Sequence, residues 1–182
     1  MILWIVLGLI VLAVLFAITT YNGLVRYRNW IQETWAQIDV QLKRRHDLIP
    51  NLVETVKGYA KYEQETLNKV IEARNRLVSG SPAQRMEAEA ELTEALRHIF
   101  ALAEAYPDLK ANQNYLKLQE ELTTTENKIA YARQLYNKTV AEYNIRRESF
   151  PANLFAGAMG FHRVEQLTIP ETEREPVKVS FD

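Results

Sequence analysis

Three histidines, His46, His98 and His162, are the first residues to weigh for metal binding, and no two of them stand at the three- or four-residue spacing that puts ligands on one helix face. A carboxylate-bridged di-iron site in a helical bundle needs two Glu-x-x-His motifs and two further glutamates. Here Glu94 and His98 stand four apart and alone, which reads as a surface pair. The chain has no cysteine, so thiolate ligands, disulfides and cysteine nucleophiles are excluded. Neither a glycine-rich phosphate loop nor a nucleophile elbow occurs. Glu104 and Asp108 flank Tyr106-Pro107 as a candidate carboxylate pair, but acidic residues at helix ends more simply serve capping and the helix dipole. The expectation is a non-enzyme with no catalytic residue, no cofactor and no metal.

The basic run Lys43-Arg44-Arg45 offers either lipid contact or a solvated helix face. It lies roughly 30 Å along a straight helix from Tyr21, beyond a Debye length, which favours the solvated face. A net charge of −1 and a pI of about 6.3 argue against nucleic acid, whose binding requires basic charge to displace counterions. Arg-Asn recurs at Arg28-Asn29 and Arg74-Asn75, and Tyr-Asn at Tyr21-Asn22, Tyr136-Asn137 and Tyr143-Asn144. Arg74 falls on the apolar stripe of its own segment, and a buried polar group needs partners. Two readings stand: an inter-helix polar network of Asn29, Arg74, Glu126, Arg133 and Asn137, or unrelated surface pairs.

These residues must be positioned by helices. The chain of 182 residues is 47% hydrophobic and 25% charged, ordinary for a globular domain plus an anchor. Ile2 to Ile18 is an apolar run interrupted only by Gly8, with no charge before Arg26. About 20 such residues cross a bilayer. Trp4, Tyr21, Tyr27 and Trp30 sit where interfacial aromatics collect, and Trp4, Tyr21, Arg26, Tyr27 and Arg28 are the expected membrane-interface residues. The run lacks the basic start and cleavage site of a signal peptide, and lacks the polar stripe of a core helix. Arg26 and Arg28 after the span predict the N-terminus outside and the remainder in the cytoplasm.

Beyond the anchor (residues 1–21), Leu24, Ile31, Trp35, Ile38 and Leu42 form one helical stripe, continuous or nearly so with the span. Pro50 is expected to end that helix or open the next, which runs from about Asn51 to Val78. Ser81-Pro82-Ala83-Gln84 reads as a capping box opening a third helix that reaches about Ala105. A fourth spans about Asp108 to Ser149, with Leu118, Leu122, Thr125, Ile129, Ala132, Tyr136, Val140 and Tyr143 near a heptad seam, as in a coiled coil. The predicted class is all-α: a transmembrane helix continuing into a four-helix up-down bundle (22–150). A tail (151–182) is expected to pack on the bundle. It carries an apolar patch, a charged linker at Glu171 to Glu175 and a short strand at Val177 to Phe181.

Several of these stretches also carry a family signature. They are Tyr21-Asn22-Gly23-Leu24-Val25, Arg28-Asn29, the run from Trp35 through Arg45-His46-Asp47-Leu48-Ile49-Pro50 to Val53, and Glu104-Ala105-Tyr106-Pro107-Asp108-Leu109-Lys110-Ala111-Asn112. Glu126-Asn127-Lys128-Ile129-Ala130, Tyr136-Asn137 and Phe150-Pro151 complete it. In these the chain resembles the LemA family of bacterial membrane proteins over nearly all its length after the anchor, with Tyr115 where that family more often has phenylalanine. The resemblance implies an N-terminal transmembrane helix with a short external terminus and a four-helix soluble part. It implies no active site, and it points to membrane organisation.

The leading functional expectation is a self-associating, membrane-organising scaffold, a homo-oligomer in contact with the lipid bilayer. Its expected association residues are Trp30, Trp35, Leu154, Phe155 and Phe161, because exposed apolar patches mark partner surfaces. The alternative is an adaptor for another membrane protein, such as a protease or signalling complex. A ligand sensor using the polar network as its pocket has no motif behind it.

Overall fold

The computed structural model describes residues 1–60 and 63–167. The expected linker at Glu171 to Glu175 and strand at Val177 to Phe181 lie outside the described residues. Those described are all-helical: α1 (Ile2–Lys57), α2 (Gln64–Arg76), α3 (Pro82–Ala103), the single turn α4 (Pro107–Lys110) and α5 (Gln113–Glu148), followed by a 3₁₀ turn at Ala152–Leu154.

α1 is one unbroken helix of 56 residues that passes through both Gly23 and Pro50. The expected boundary at Pro50 is therefore wrong, and α2 starts at Gln64 rather than Asn51. The reason is local. A proline inside a helix removes the N–H that would bond the carbonyl four residues back, here that of His46. Arg74 of α2 supplies the missing donor, its Nε lying 3.0 Å from the His46 carbonyl oxygen. α1 ends instead just before Gly58, where the amides of Tyr59 and Ala60 both turn back onto the Val56 carbonyl.

α3 starts where the sequence places it. Ser81 and Gln84 form the reciprocal capping box, with Pro82 in the first turn. Gly80 precedes it at φ +94°, a left-handed conformation that favours glycine. The last helix departs from expectation at its start. α4 stops at Lys110, and α5 is capped afresh by Asn112, whose Oδ1 accepts from the amides of Asn114 (2.9 Å) and Tyr115 (3.0 Å).

The chain packs as two compact units. The first comprises Met1–Gln37 and Ala132–Gln166. Its interior is Leu24, Tyr27 and Ile31 from α1, with Tyr136, Val140 and Tyr143 from α5 and Ala152, Ala156 and Phe161 from the tail. The second is built on Ile38–Tyr131. There Ile38, Leu42, Ile49, Leu52 and Val56 of α1 are buried, as are Leu67, Val70 and Leu77 of α2, Leu92, Leu96 and Ile99 of α3, and Leu122 and Ile129 of α5. Ile38 and Leu42 of α1, and Leu122 and Ile129 of α5, belong to the apolar stripes read from the sequence. Buried Thr34 and Thr125 satisfy their hydroxyls on carbonyls of the preceding turn, so neither demands a partner from another helix.

Candidate functional site

The N-terminal part of α1 has the attributes of a membrane span. It contains an 18-residue stretch of mean hydropathy 3.0, none of it buried in the protein. The large apolar side chains from Ile2 to Phe16 are exposed, as is Ile18, which water would penalise and lipid would not. Of the expected interfacial residues, Trp4, Tyr21, Arg26 and Arg28 are exposed. Tyr27 is buried. Its hydroxyl donates to Glu142 (2.9 Å), its ring meets Trp30 edge-on (5.1 Å) and the Arg146 guanidinium stacks over it (4.6 Å). Tyr27 therefore serves packing within the first unit rather than the headgroup region.

The same unit holds the tail against α1 and α5. Phe155 meets Phe16 edge-on at 6.4 Å, and Phe161 meets Tyr21 at 5.4 Å with Arg28 5.5 Å over its ring. From α5, the Tyr143 hydroxyl donates to the His162 carbonyl (2.9 Å) and Arg147 Nε to that of Phe161 (2.9 Å). Asn144 both donates to the Val164 carbonyl (2.8 Å) and accepts from its amide (3.2 Å). Gln166 Nε2 donates to the Asn137 carbonyl (3.0 Å). The recurrent Tyr-Asn pair at Tyr143-Asn144 thus grips the extended segment after Phe161.

The expected association residues separate. Trp30 and Leu154 are exposed, at 43% and 72%. Trp35 is half-buried against the Tyr136 ring at 6.1 Å, and Phe155 is half-buried. Phe161 is buried and so belongs to the interior, not to a surface.

The second unit contains a charged cluster that sequence reasoning missed. Arg45, placed by the sequence in a solvated basic run, is fully buried. Its Nη1 donates to Glu89 of α3, itself buried, and its Nη2 lies 3.4 Å from Glu126 of α5. Thr93 donates a further hydrogen bond to Glu89 (3.2 Å). The signal was legible. Ile38, Leu42, Arg45, Ile49, Leu52 and Val56 form an unbroken four-three-four-three-four stripe, and Glu89 is in register with Leu92, Leu96 and Ile99. Arg45 Nε and the Gln41 side-chain oxygen, one turn apart, are buried with no hydrogen-bond partner among the described residues. The other members of the basic run do face outward: Lys43 lies 3.8 Å from Asp47 and Arg44 3.6 Å from Glu121.

The five residues expected to form an inter-helix network have these surroundings. Glu126 pairs with Arg45, whereas Arg74 serves the His46 carbonyl and Asn75. Asn29 is exposed, Arg133 is buried, and the Asn137 carbonyl binds Gln166.

Among the described residues no three His, Cys, Asp or Glu side chains are grouped to hold a metal ion. Asp108 occupies the first turn of α4, where an acidic side chain suits the helix dipole, whereas Glu104, at the C-terminal end of α3, is paired with Lys110. A surface groove of about 570 Å³ lies between α1 and α5 of the second unit, lined by Asn51, Glu54, Thr55, Asn114, Lys117 and Glu121 with Leu48 and Leu118. Three tyrosines hold their protons above the usual range. Burial raises Tyr115, assisted by the Glu104 charge; burial raises Tyr136; and burial raises Tyr143 against the opposing pull of Arg147 and Arg28.

Fold and sites together define an all-helical protein whose first helix is long and apolar enough to cross a membrane. The model of the LemA family matches residues 34–181, and the chain belongs to that family. It is 29% identical to Protein LemA of Metamycoplasma hominis over 164 residues, covering 87% of this chain and 74% of that one. It is 24% identical to the Magnetosome protein MamQ of Magnetospirillum gryphiswaldense over 190 residues, covering 87% and 70%. A further relative, Magnetosome protein MamQ 2 of Paramagnetospirillum magneticum, is 25% identical over 172 residues, covering 80% and 63%.

Proposed function

We propose that the chain is a non-catalytic, self-associating scaffold of the bacterial cytoplasmic membrane, crossing it once with the N-terminus outside and the packed helices in the cytoplasm. The observation that carries this reading is the continuity of α1 within the first unit, where the apolar span runs as one helix into the buried stripe of Leu24, Tyr27 and Ile31. Such continuity lets contacts between neighbouring copies near the span's exit orient their membrane segments. Exposed Trp30, a few residues beyond the span, is a side chain suited to such a contact. Relatives named as magnetosome proteins support a membrane-associated role. Arg26 and Arg28, following the span, support the orientation.

The test is the mass of the full-length protein in detergent and in lipid nanodiscs, by light scattering. A defined oligomer is expected, weakened by Trp30→Ala. A strict monomer at all concentrations removes the scaffold reading, and crosslinking in native membranes then decides whether a second protein is bound. Orientation is tested in the cysteine-free background: Ile2→Cys is expected to react with an impermeant maleimide in intact cells, and Tyr131→Cys only after lysis.

A further inference from the structure

The segment Phe150–Phe161 runs twelve residues without a charge, in a chain that is 25% charged, and Asn153 is its only polar side chain. Three of its large apolar residues point away from the protein: Phe150 is 80% exposed, Leu154 72% and Met159 37%. The segment is also fixed in depth against α1. Phe155 lies against Phe16, inside the apolar run, and Phe161 lies against Tyr21 and Arg28, at its end. At a rise of 1.5 Å per residue, Phe16 sits about 7 Å inside a span that ends at Tyr21. Whatever medium surrounds Phe16 therefore reaches Phe155 and its exposed neighbours.

Backbone chemistry points the same way. Polypeptide that enters hydrocarbon must satisfy its own amides. Seven of its eleven amides do so locally: those of Asn153, Leu154, Phe155, Ala156, Met159, Gly160 and Phe161 all donate to carbonyls between Ser149 and Gly157. Pro151 has no N–H to satisfy. The flanks carry the opposite chemistry. Arg26, Arg28, Arg146, Arg147 and Arg163 outnumber Glu142, Glu148 and Glu165 around the segment's two ends and the exit of the span. An uncharged apolar loop bordered by arginines is the composition of an interfacial membrane anchor.

We propose that Phe150–Phe161 is a second membrane-contacting element, a loop that inserts Phe150, Leu154 and Met159 into the headgroup–acyl boundary beside the exit of the α1 span. The occupant of this exposed patch is lipid, and the argument is its continuity with the span. This inference rests on the reading of Ile2–Ile18 as membrane-spanning. Leu154, expected from the sequence to bind a partner chain, is here a lipid-facing residue.

The chain's lack of cysteine makes the test direct. Nitroxide is attached to Phe150→Cys and Leu154→Cys in the full-length protein, reconstituted in phosphatidylcholine–phosphatidylglycerol vesicles. Both native side chains are exposed, so the changes remove little packing. Collision with oxygen, which concentrates in lipid, is compared with collision with a water-soluble nickel chelate. Val11→Cys, in mid-span, and Tyr131→Cys, an exposed position of the second unit, are the references. The expected result is an oxygen-to-nickel ratio at 150 and 154 several-fold above that at 131 and below that at 11. If 11 reads as lipid while 150 and 154 match 131, the loop proposal fails and the span stands. If 154 is shielded from both reagents while 11 reads as lipid, a protein surface covers the patch and the proposal is equally overturned. If 11 itself reads as water, the span fails and takes the loop proposal with it.

Discussion

The two compact units solve the same problem, how to fasten one segment to another, with different chemistry. In the first, side chains of α5 bond neutral backbone groups: Tyr143 to His162, Asn144 to Val164 twice, and Arg147 to Phe161. In the second, beside the Arg74 bond to the His46 carbonyl, helices are also joined by opposite charges: Arg45 to Glu89 and Glu126, Arg76 to Glu91, and Arg85 to Asp39. The difference lies in what failure costs. A backbone carbonyl that loses its side-chain donor on a half-exposed segment can turn to water. Glu89 cannot, because its side chain is only 7% exposed and that of Arg45 is not exposed at all. The first unit should therefore loosen locally when perturbed, and the second should lose stability as a whole.

The sharpest way to break this comparison is Arg45→Met. It leaves Glu89 buried without its cation and should cost about 3–5 kcal/mol in urea denaturation. The double change Arg45→Met with Glu89→Leu should recover most of that loss, since an apolar pair of similar volume replaces a desolvated ion pair. If the double variant is no more stable than the single one, the cluster is not acting as a charge pair. Glu126, partly exposed, is the weaker arm, and Glu126→Gln should cost no more than about 1 kcal/mol.

Next in size is Arg74→Met, which strips the His46 carbonyl of its donor and should cost about 1–3 kcal/mol. Pro50→Ala restores an N–H to that carbonyl, so Arg74→Met should be milder when the two changes are combined. A double-mutant cycle with no coupling would sink this account of the proline. Asn144→Ala in the first unit removes both bonds to Val164, with a global cost of about 1–2 kcal/mol. Its distinguishing result is local: faster hydrogen exchange at residues 161–167 while α2 and α3 keep their protection.

The smallest effect at neutral pH is the tyrosine linkage. Tyr115, Tyr136 and Tyr143 have folded-state pKa values raised above the unfolded value near 10. Their contribution is fully present below about pH 10, and it is lost as pH rises through the folded values, because the unfolded chain ionises first. Absorbance of tyrosinate should therefore appear late and together with unfolding. Tyr143→Phe should flatten the alkaline loss while also releasing the His162 carbonyl.

Much of this fold was legible in apolar spacing. The stripes of α1 and α5, the capping box at Ser81 and the apolar first helix all follow from residue type and period. Pro50 misled because a proline's effect depends on whether some distant donor can serve the carbonyl it strands, and Arg74 lies 28 residues beyond His46. Arg45 misled because its two basic neighbours disguised it as part of a surface run, although its position on the stripe was apolar. Asn112 was passed over because a single capping side chain is enough to restart a helix that Pro107 had already opened. Phe161 looked like surface because a tail's burial is decided by partners such as Tyr21 and Arg28, more than 130 positions away in the chain.

The length of α1 also has a consequence for biosynthesis. Its buried stripe leaves the ribosome long before the residues that cover it, since Tyr27 must wait 115 residues for Glu142. At about 5–20 residues per second that interval is roughly 6–23 s. Throughout it, Leu24, Ile31, Ile38 and Leu42 lack some of the residues that cover them in the folded chain. A helix made first and packed last needs shelter during that wait.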